Sequence, residues 1–335
     1  MSLPKTQKAI YIDATSDTWE TIKYGDVETP QISDSHDVII KNEFAGINMI
    51  ELYFRKGIYA APLPLILGRE ASGTVVAVGD KVSKYAVGDK VAYLEPKTFA
   101  QYTKITESKP QVVKLLADVT EDQLHVYGGL LLQGLTALPL IEDAFKVEKD
   151  QYILVWAAAG GVGQLLTQFS ANRGANVIAI ASTDEKLEIA KSLGAKYTIK
   201  GSSPDIVDQI LKITNGKGVD ASLDSVGKDS FETSLAALAR KGTLVSFGNA
   251  SGPVPPFLIT RLSAKNIKLV RPSLLNYLTT DEEFQFYSRE LIKQYESGKL
   301  KFSITKTYDL KDYASAAQDL ENRKTTGKLV LRIPQ

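Results

Sequence analysis

Ile153-Leu154-Val155-Trp156-Ala157-Ala158-Ala159-Gly160-Gly161-Val162-Gly163 is the stretch that decides the fold. A short apolar run leads into alanines and glycines, and a helical pattern over residues 163–173 follows directly. Strand, tight turn and helix succeed one another without a break. Small residues in the turn let the backbone approach a pyrophosphate, and the helix N-terminus offers free amide groups and the positive end of its dipole. The first glycine of the usual G-x-G-x-x-G is replaced by Ala157 or Ala158, so the form here is A-x-x-G-x-x-G. A turn with no ligand would use the same residues; what favours a dinucleotide is the regular alternation around it.

Working outward, strands are expected at 152–156, 177–181, 197–199, 219–224 and 242–247, with helices at 163–173, 185–193, 205–214 and 230–238 between them. Such alternation implies a parallel sheet covered by helices on both faces, a Rossmann doubly wound α/β domain. Upstream the texture differs. Short β-rich segments at 38–41, 73–78 and 90–93, with Gly-Asp turns at Gly79-Asp80 and Gly88-Asp89, suggest a largely antiparallel, barrel-like unit. Residues 127–141 carry small residues on one side and leucines on the other, as a buried helix would. The tail, with a helix at 282–296, a strand at 305–308, a helix at 313–321 and a strand at 327–333, does not continue the alternation and is expected to return to the first domain. The expected domains are 1–126 with 275–335, and 127–274.

Length and composition agree with two folded domains: 335 residues, 44% apolar and 24% charged. The absence of cysteine removes disulfides, zinc fingers, iron–sulfur clusters and thiolate nucleophiles, and two histidines cannot build a three-histidine metal site. A net charge of +1 gives no global drive toward nucleic acid or anionic membrane. No N-terminal run reads as a signal peptide, no stretch approaches the ~20 apolar residues of a membrane helix, and the final Ile-Pro-Gln is not a peroxisomal address. A cytoplasmic protein without a membrane partner is expected, with the nucleus as a further compartment.

The choice of dinucleotide falls at the end of the second strand, Ala179-Ile180-Ala181-Ser182-Thr183. An acid ~20 residues after the glycine turn would bind ribose hydroxyls. Here Ser182 and Thr183 stand in its place and Lys186 lies one helical turn on, a set that suits a 2′-phosphate and hence NADP. Ser182 or Thr183 also reads as the N-cap of the next helix, and both roles can hold at once. The segments Asp224-Ser225-Val226-Gly227 and Phe247-Gly248-Asn249-Ala250-Ser251-Gly252 follow later strands, where ligands bind in open α/β sheets, although glycine and serine would serve plain turns equally.

These residues resemble the medium-chain dehydrogenase/reductase superfamily, as do the runs Leu-Gly-Arg-Glu-Ala-Ser-Gly-Thr-Val (67–75), Val-Gly-Asp-Lys-Val-Ala (87–92) and Leu-Gln-Gly-Leu-Thr-Ala (132–137). Within it, Asn48, the Tyr-Phe-Arg-Lys-Gly-Ile-Tyr run (53–59) and the late Asp-Ser-Val-Gly, Ser-Phe-Gly-Asn-Ala-Ser-Gly and Thr-Gly-Lys-Leu-Val-Leu stretches are similar to the zinc-free quinone oxidoreductase branch that includes zeta-crystallin and its yeast relatives. The resemblance runs nearly end to end and implies a GroES-like catalytic domain beside the Rossmann domain. In the zinc enzymes of the superfamily a Cys ligand stands near Asn48, and Gly-His-Glu supplies the next; here that motif is Gly68-Arg69-Glu70, and arginine cannot ligate a cation. No metal site is expected, and Glu70 is expected to pair with an Arg or Lys.

The resemblance places Asn48, Gln133 and Thr136 near the nicotinamide of NADPH, Ala159, Gly160, Gly161 and Val162 at the pyrophosphate, and Ser182 and Lys186 at the 2′-phosphate. It continues the cofactor site with Ser225, Phe247, Gly248, Asn249 and Ser251 and brings Arg323 from the C-terminal segment to the phosphate. Some relatives add a tyrosine after the third strand, where this chain has Lys200-Gly201. Without metal or thiol, the expected chemistry is direct hydride delivery to a quinone or another electron-poor carbonyl acceptor, with an alkenal or enone reductase as the alternative. Asn48, Tyr53 and Tyr59 are the acceptor-cleft candidates, the tyrosines reading equally well as packing residues, and no general acid is assigned. The resemblance also implies a homodimer through Rossmann edge strands, with residues 266–271 as the pairing strand, and AU-rich RNA as a further partner.

Overall fold

The first strand, Thr6–Ile12 (β1), buries Gln7, Ala9, Ile10 and Ile12 and pairs antiparallel with Ile22–Glu28 (β2). Neither is among the expected strands, because lysines, a tyrosine in each and a central Gly25 blur the apolar alternation. The strand Asp37–Ile47 (β3) lengthens the expected one at 38–41 and ends at Asn48, which caps a short helix, Met49–Arg55 (α1). Leu65–Ile66 (β4) completes a three-stranded sheet in the order β2-β1-β4.

Glu70–Val78 (β5), Lys90–Leu94 (β6), Tyr102–Thr106 (β7) and Val112–Lys114 (β8) build a larger sheet around β3. β5 runs antiparallel along one side of β3, from Val38↔Val78 to Ala45↔Ala71, and β7 lies along the other. Gly73 sits where β3 and β5 cross most closely: a side chain there would come within 2.1 Å of Lys41 O. The expected buried helix is Glu121–Pro139 (α2), and a π-helical turn, Leu140–Ala144, follows where Pro139 cannot donate to the ladder. Glycines explain its close approach to the sheet, since a Cβ on Gly128 would lie 2.7 Å from Phe44 Cβ. Contrary to the sequence expectation, residues Glu121–Ala144 are long and apolar enough to cross a membrane; 78% of the most apolar window is buried in protein, as in the core helix of a soluble fold.

Alternation then sets in. Tyr152–Val155 (β9), Gly161–Asn172 (α3), Asn176–Ala181 (β10), Asp184–Ser192 (α4), Tyr197–Lys200 (β11), Ile206–Ile213 (α5), Val219–Asp224 (β12), Phe231–Ala237 (α6), Leu238–Ser246 (β13) and Lys268–Val270 (β14) follow in sequence. The six strands are parallel and ordered β11-β10-β9-β12-β13-β14. Leu154, Ile178, Ile180 and Leu244 are fully or almost fully buried in its core, each contributing ~1.5–3 kcal/mol of apolar burial. The strand order reverses between β9 and β12, the point at which an open parallel sheet leaves a crevice at its carboxyl edge.

The tail forms Asp281–Glu296 (α7), Ile304–Asp309 (β15), Tyr313–Glu321 (α8) and Lys328–Arg332 (β16). β16 pairs antiparallel with β3, from Leu329↔Ile47 to Arg332↔Phe44, and parallel with β15, so the larger sheet reads β15-β16-β3-β5-β6-β8 with β7 on β3. This computed structural model describes residues 3–109, 111–322 and 324–335. They fall into two units: one holds the chain up to Leu132 with Leu278–Arg289 and Phe302–Gln335, the other Gln133–Tyr277 and Glu290–Lys301.

Candidate active site

In the Rossmann unit, β9 runs into a turn in which Ala157 has a φ of 49°. This left-handed conformation is the one glycine adopts freely, so Ala157 rather than Ala158 takes the place of the missing first glycine. Gly163 allows the helix to touch the strand end: a Cβ there would lie 2.2 Å from Ala157 O. Gly160 caps α3, and Gln164 N donates to its carbonyl (2.8 Å), leaving the first-turn amides of Gly161, Val162 and Gly163 at the mouth of the turn. A side chain on Gly161 would collide with the Gln133 carboxamide at 2.1 Å. Gln133 Oε1 is buried and has no hydrogen-bond partner among the described residues. Thr136, three residues on, shares its helix face.

At the end of β10, Thr183 is the N-cap of α4, its hydroxyl accepting from Lys186 N at 3.3 Å. Ser182 is exposed and does not cap the helix. Lys200, at the end of β11, donates to both carboxylate oxygens of Asp184 (3.2 and 3.0 Å), so its ammonium stands on the same rim as Ser182 and Lys186.

The loops after β12 and β13 meet backbone to backbone, since a Cβ on Gly248 would fall 2.4 Å from Ser225 O. Asp224 is sealed from solvent and accepts from Val226 N (2.8 Å), Gly227 N (3.1 Å), Ser230 Oγ (2.7 Å) and Ser234 Oγ (2.9 Å). Ser251 joins the loops: its hydroxyl donates to Val226 O (2.9 Å) and accepts from Asp229 N (3.0 Å). Arg271 supports Gly248 O (3.2 Å) and meets the Asn249 carboxamide oxygen at 3.0 Å. Phe247 N is held by Asp224 O (2.8 Å). The predicted Ser225, Phe247, Gly248, Asn249 and Ser251 therefore form one braced rim, while Arg323 lies outside the described residues.

The other unit gathers a buried polar cluster. Lys328 Nζ donates to Asn48 Oδ1 and to Glu70 Oε1, both at 2.6 Å, and the Lys328 and Glu70 side chains are wholly buried. Asn48 Nδ2 donates to Gly46 O (3.1 Å) and Glu70 Oε1 (3.0 Å), Leu132 N donates to Glu70 Oε2 (2.8 Å), and Asn48 N donates to Glu51 Oε2 (2.8 Å). Burial pushes the Glu51 carboxyl up to about 8, against the opposing field of Lys328. Tyr53 and Tyr59 come together edge to face, ring centroids 5.4 Å apart, and the Arg69 guanidinium lies 4.3 Å from the Phe54 ring centre. Burial lowers the Arg69 pKa.

The expected pairing of Glu70 thus exists, with Lys328 as partner. Neither Lys328 nor Glu51 is foreseen in the sequence, where Lys328 opens the aliphatic run Leu-Val-Leu and reads as the polar start of a strand. This cluster does not suit zinc: among the described residues no three His, Cys, Asp or Glu side chains lie together as a metal group, and Glu70, the carboxylate that the Asn48 side chain meets, is already bonded to an ammonium.

Comparison with known proteins matches residues 34–130 to the alcohol dehydrogenase GroES-like domain and residues 161–291 to the zinc-binding dehydrogenase family. A Schizosaccharomyces pombe protein named "Probable quinone oxidoreductase" is 45% identical over 88% of both chains. A Burkholderia 2-haloacrylate reductase is 33% identical over 95% of both. The crystal structure of Escherichia coli quinone oxidoreductase complexed with NADPH is similar with a TM-score of 0.90 and 34% identity, covering 97% of this chain and 99% of that one. The chain belongs to the medium-chain dehydrogenase/reductase superfamily, in its zinc-free quinone oxidoreductase branch, and is an oxidoreductase of that family.

Proposed function

We propose that the chain is an NADPH-dependent quinone oxidoreductase that delivers hydride to its acceptor without zinc. The observation that carries the cofactor is the turn between Ala157 and Gly163: it has no room for a side chain at Gly163, and beside Gly161 it leaves the Gln133 carboxamide oxygen buried and unpartnered. An incoming amide group is the natural partner for that oxygen, so these residues fit a nicotinamide dinucleotide. NADPH, when bound, supplies the hydride.

The chain supplies position. Ala159, Gly160, Gly161 and Val162 present the helix end to the pyrophosphate charge; Ser182, Lys186 and Lys200 provide a hydroxyl and two cations for the 2′-phosphate. Gln133 and Thr136 orient the nicotinamide, and Ser225, Phe247, Gly248, Asn249 and Ser251 wall the same pocket; Asn48 is assigned to the nicotinamide and Arg323 to the phosphate by resemblance. Asn48, Tyr53 and Tyr59 face the acceptor. Holding donor and acceptor in register can be worth ~7–11 kcal/mol, which suffices for quinones because they accept hydride with little electrophilic help.

Titrating the protein with NADPH and NADH, then following quinone-dependent oxidation of each, tests this reading. Preference for NADPH with turnover of quinones is the expected result; no oxidation of either nucleotide by any quinone or enone defeats it. A second reading, reduction of an activated carbon–carbon double bond, is favoured by the 2-haloacrylate reductase relative. Rapid turnover of enones with inert quinones would establish it instead.

A homodimer through β14 belongs to the same proposal: among the described residues β14 pairs with β13 on one side only, which leaves a strand edge for a second copy. AU-rich RNA rests on the resemblance alone, and a net charge of +1 gives it no support.

A further inference from the structure

Lys328 and Glu70 form an ion pair from which solvent is excluded entirely, and the fold makes room for it at two glycines. A Cβ on Gly46 would stand 2.2 Å from Glu70 Oε1 and 2.8 Å from Lys328 Cε, and one on Gly129 would meet Lys328 Cγ at 3.0 Å. The strand β3, the helix α2 and the tail strand β16 thus converge around one ammonium. Leaving either partner alone in such a place is strongly unfavourable, so the pair is an all-or-none feature.

The pair has a third member. The Asn48 carboxamide turns its oxygen to the ammonium (2.6 Å) and its nitrogen to the Glu70 carboxylate (3.0 Å) and Gly46 O (3.1 Å). Rotating it by half a turn would set an NH2 against an ammonium and an oxygen against a carboxylate, so only one orientation survives. We propose that Lys328 is a positioning residue of the reductase site, its ammonium, paired with Glu70, acting by locking the Asn48 carboxamide in a single orientation. This rests on the NADPH-dependent reading, in which Asn48 meets the nicotinamide and the acceptor.

The whole enzyme, assayed with NADPH and a quinone, tests the idea. Wild-type turnover is measured first: if neither quinones nor enones oxidise NADPH, the functional reading falls and this proposal with it. Lys328→Met strands the Glu70 charge and lowers Tm; Lys328→Met combined with Glu70→Gln restores a neutral pair of similar volume and most of the Tm. The double variant is expected to lose kcat by about tenfold or more while KM for NADPH stays within about threefold. Asn48→Ala should lose kcat to a similar extent, and the triple variant no further, because Lys328 acts through Asn48. A double variant with wild-type kcat, or a triple variant whose loss is the product of the two separate losses, overturns the proposal and reduces the pair to a structural brace.

Discussion

The Ser230 hydroxyl lies 2.7 Å from each carboxylate oxygen of Asp224, and neither residue is reached by solvent. With the amides of Val226 and Gly227 and the hydroxyl of Ser234, this anchors the loop after β12 from beneath. Asp224→Asn would turn an amide NH2 toward groups that are themselves donors. We expect a loss of ~2–4 kcal/mol in urea unfolding, together with weaker NADPH binding. Unchanged stability and affinity would show that the loop is held by other means.

Ala157 and Gly163 make opposite predictions from one turn. Ala157→Gly relieves a left-handed alanine and should leave stability unchanged or raise it by ~1 kcal/mol, the relief of strain outweighing the added chain entropy. Gly163→Ala drives a methyl into Ala157 O and should cost ~1–3 kcal/mol, with loss of nucleotide binding. Thermal unfolding with and without NADPH separates the two, and a harmless Gly163→Ala would contradict the close contact.

Lys186→Ala should raise the Kd for NADPH about tenfold and leave that for NADH almost unchanged, since only the former carries a 2′-phosphate. Fluorescence titration with both nucleotides reads this directly. Equal losses for both would place the phosphate elsewhere.

The Glu51 carboxyl, raised by burial from 4.5 to about 8, carries a pH dependence with a definite sign. Between these values the folded state binds the extra proton, so stability is greatest at the acid end and declines as pH rises, at about 1 kcal/mol per pH unit from this group. Glu51→Gln should remove that contribution. Chemical unfolding of both proteins at intervals across the window measures it, and parallel curves would show that Glu51 is ionised in the folded chain.

Leu269→Lys on β14 should give a monomer by light scattering, with some loss of packing against the core it touches, if this edge pairs two copies. A variant dimer as tight as the wild type removes β14 from the interface.

The sequence was most legible where local pattern and global fold agree. Val219–Asp224 and Tyr313–Glu321 have the expected boundaries, because apolar periodicity alone marks them. β1 and β2 escaped that reading, since a lysine and a tyrosine within seven residues break the apolar alternation of each, even though β1 is the central strand of its sheet. The turn at 157–163 and the cap hydroxyl at 183 were likewise visible, because a strand–helix turn and an N-cap are built from consecutive residues. Lys328 was not: it lies 258 residues from Glu70, and nothing local distinguishes it from a strand-opening lysine.

What the sequence by itself determined is therefore the parallel core, the glycine turn and the absence of cysteine, all properties of residue type and spacing along the chain. Tertiary structure alone decided which alanine takes the left-handed turn, which hydroxyl caps α4, and that Lys328 closes against Glu70 and Asn48. The physical reason is that burial sets the energy of a charge, and burial of the Lys328 ammonium is fixed only when β3, α2 and β16 enclose it together.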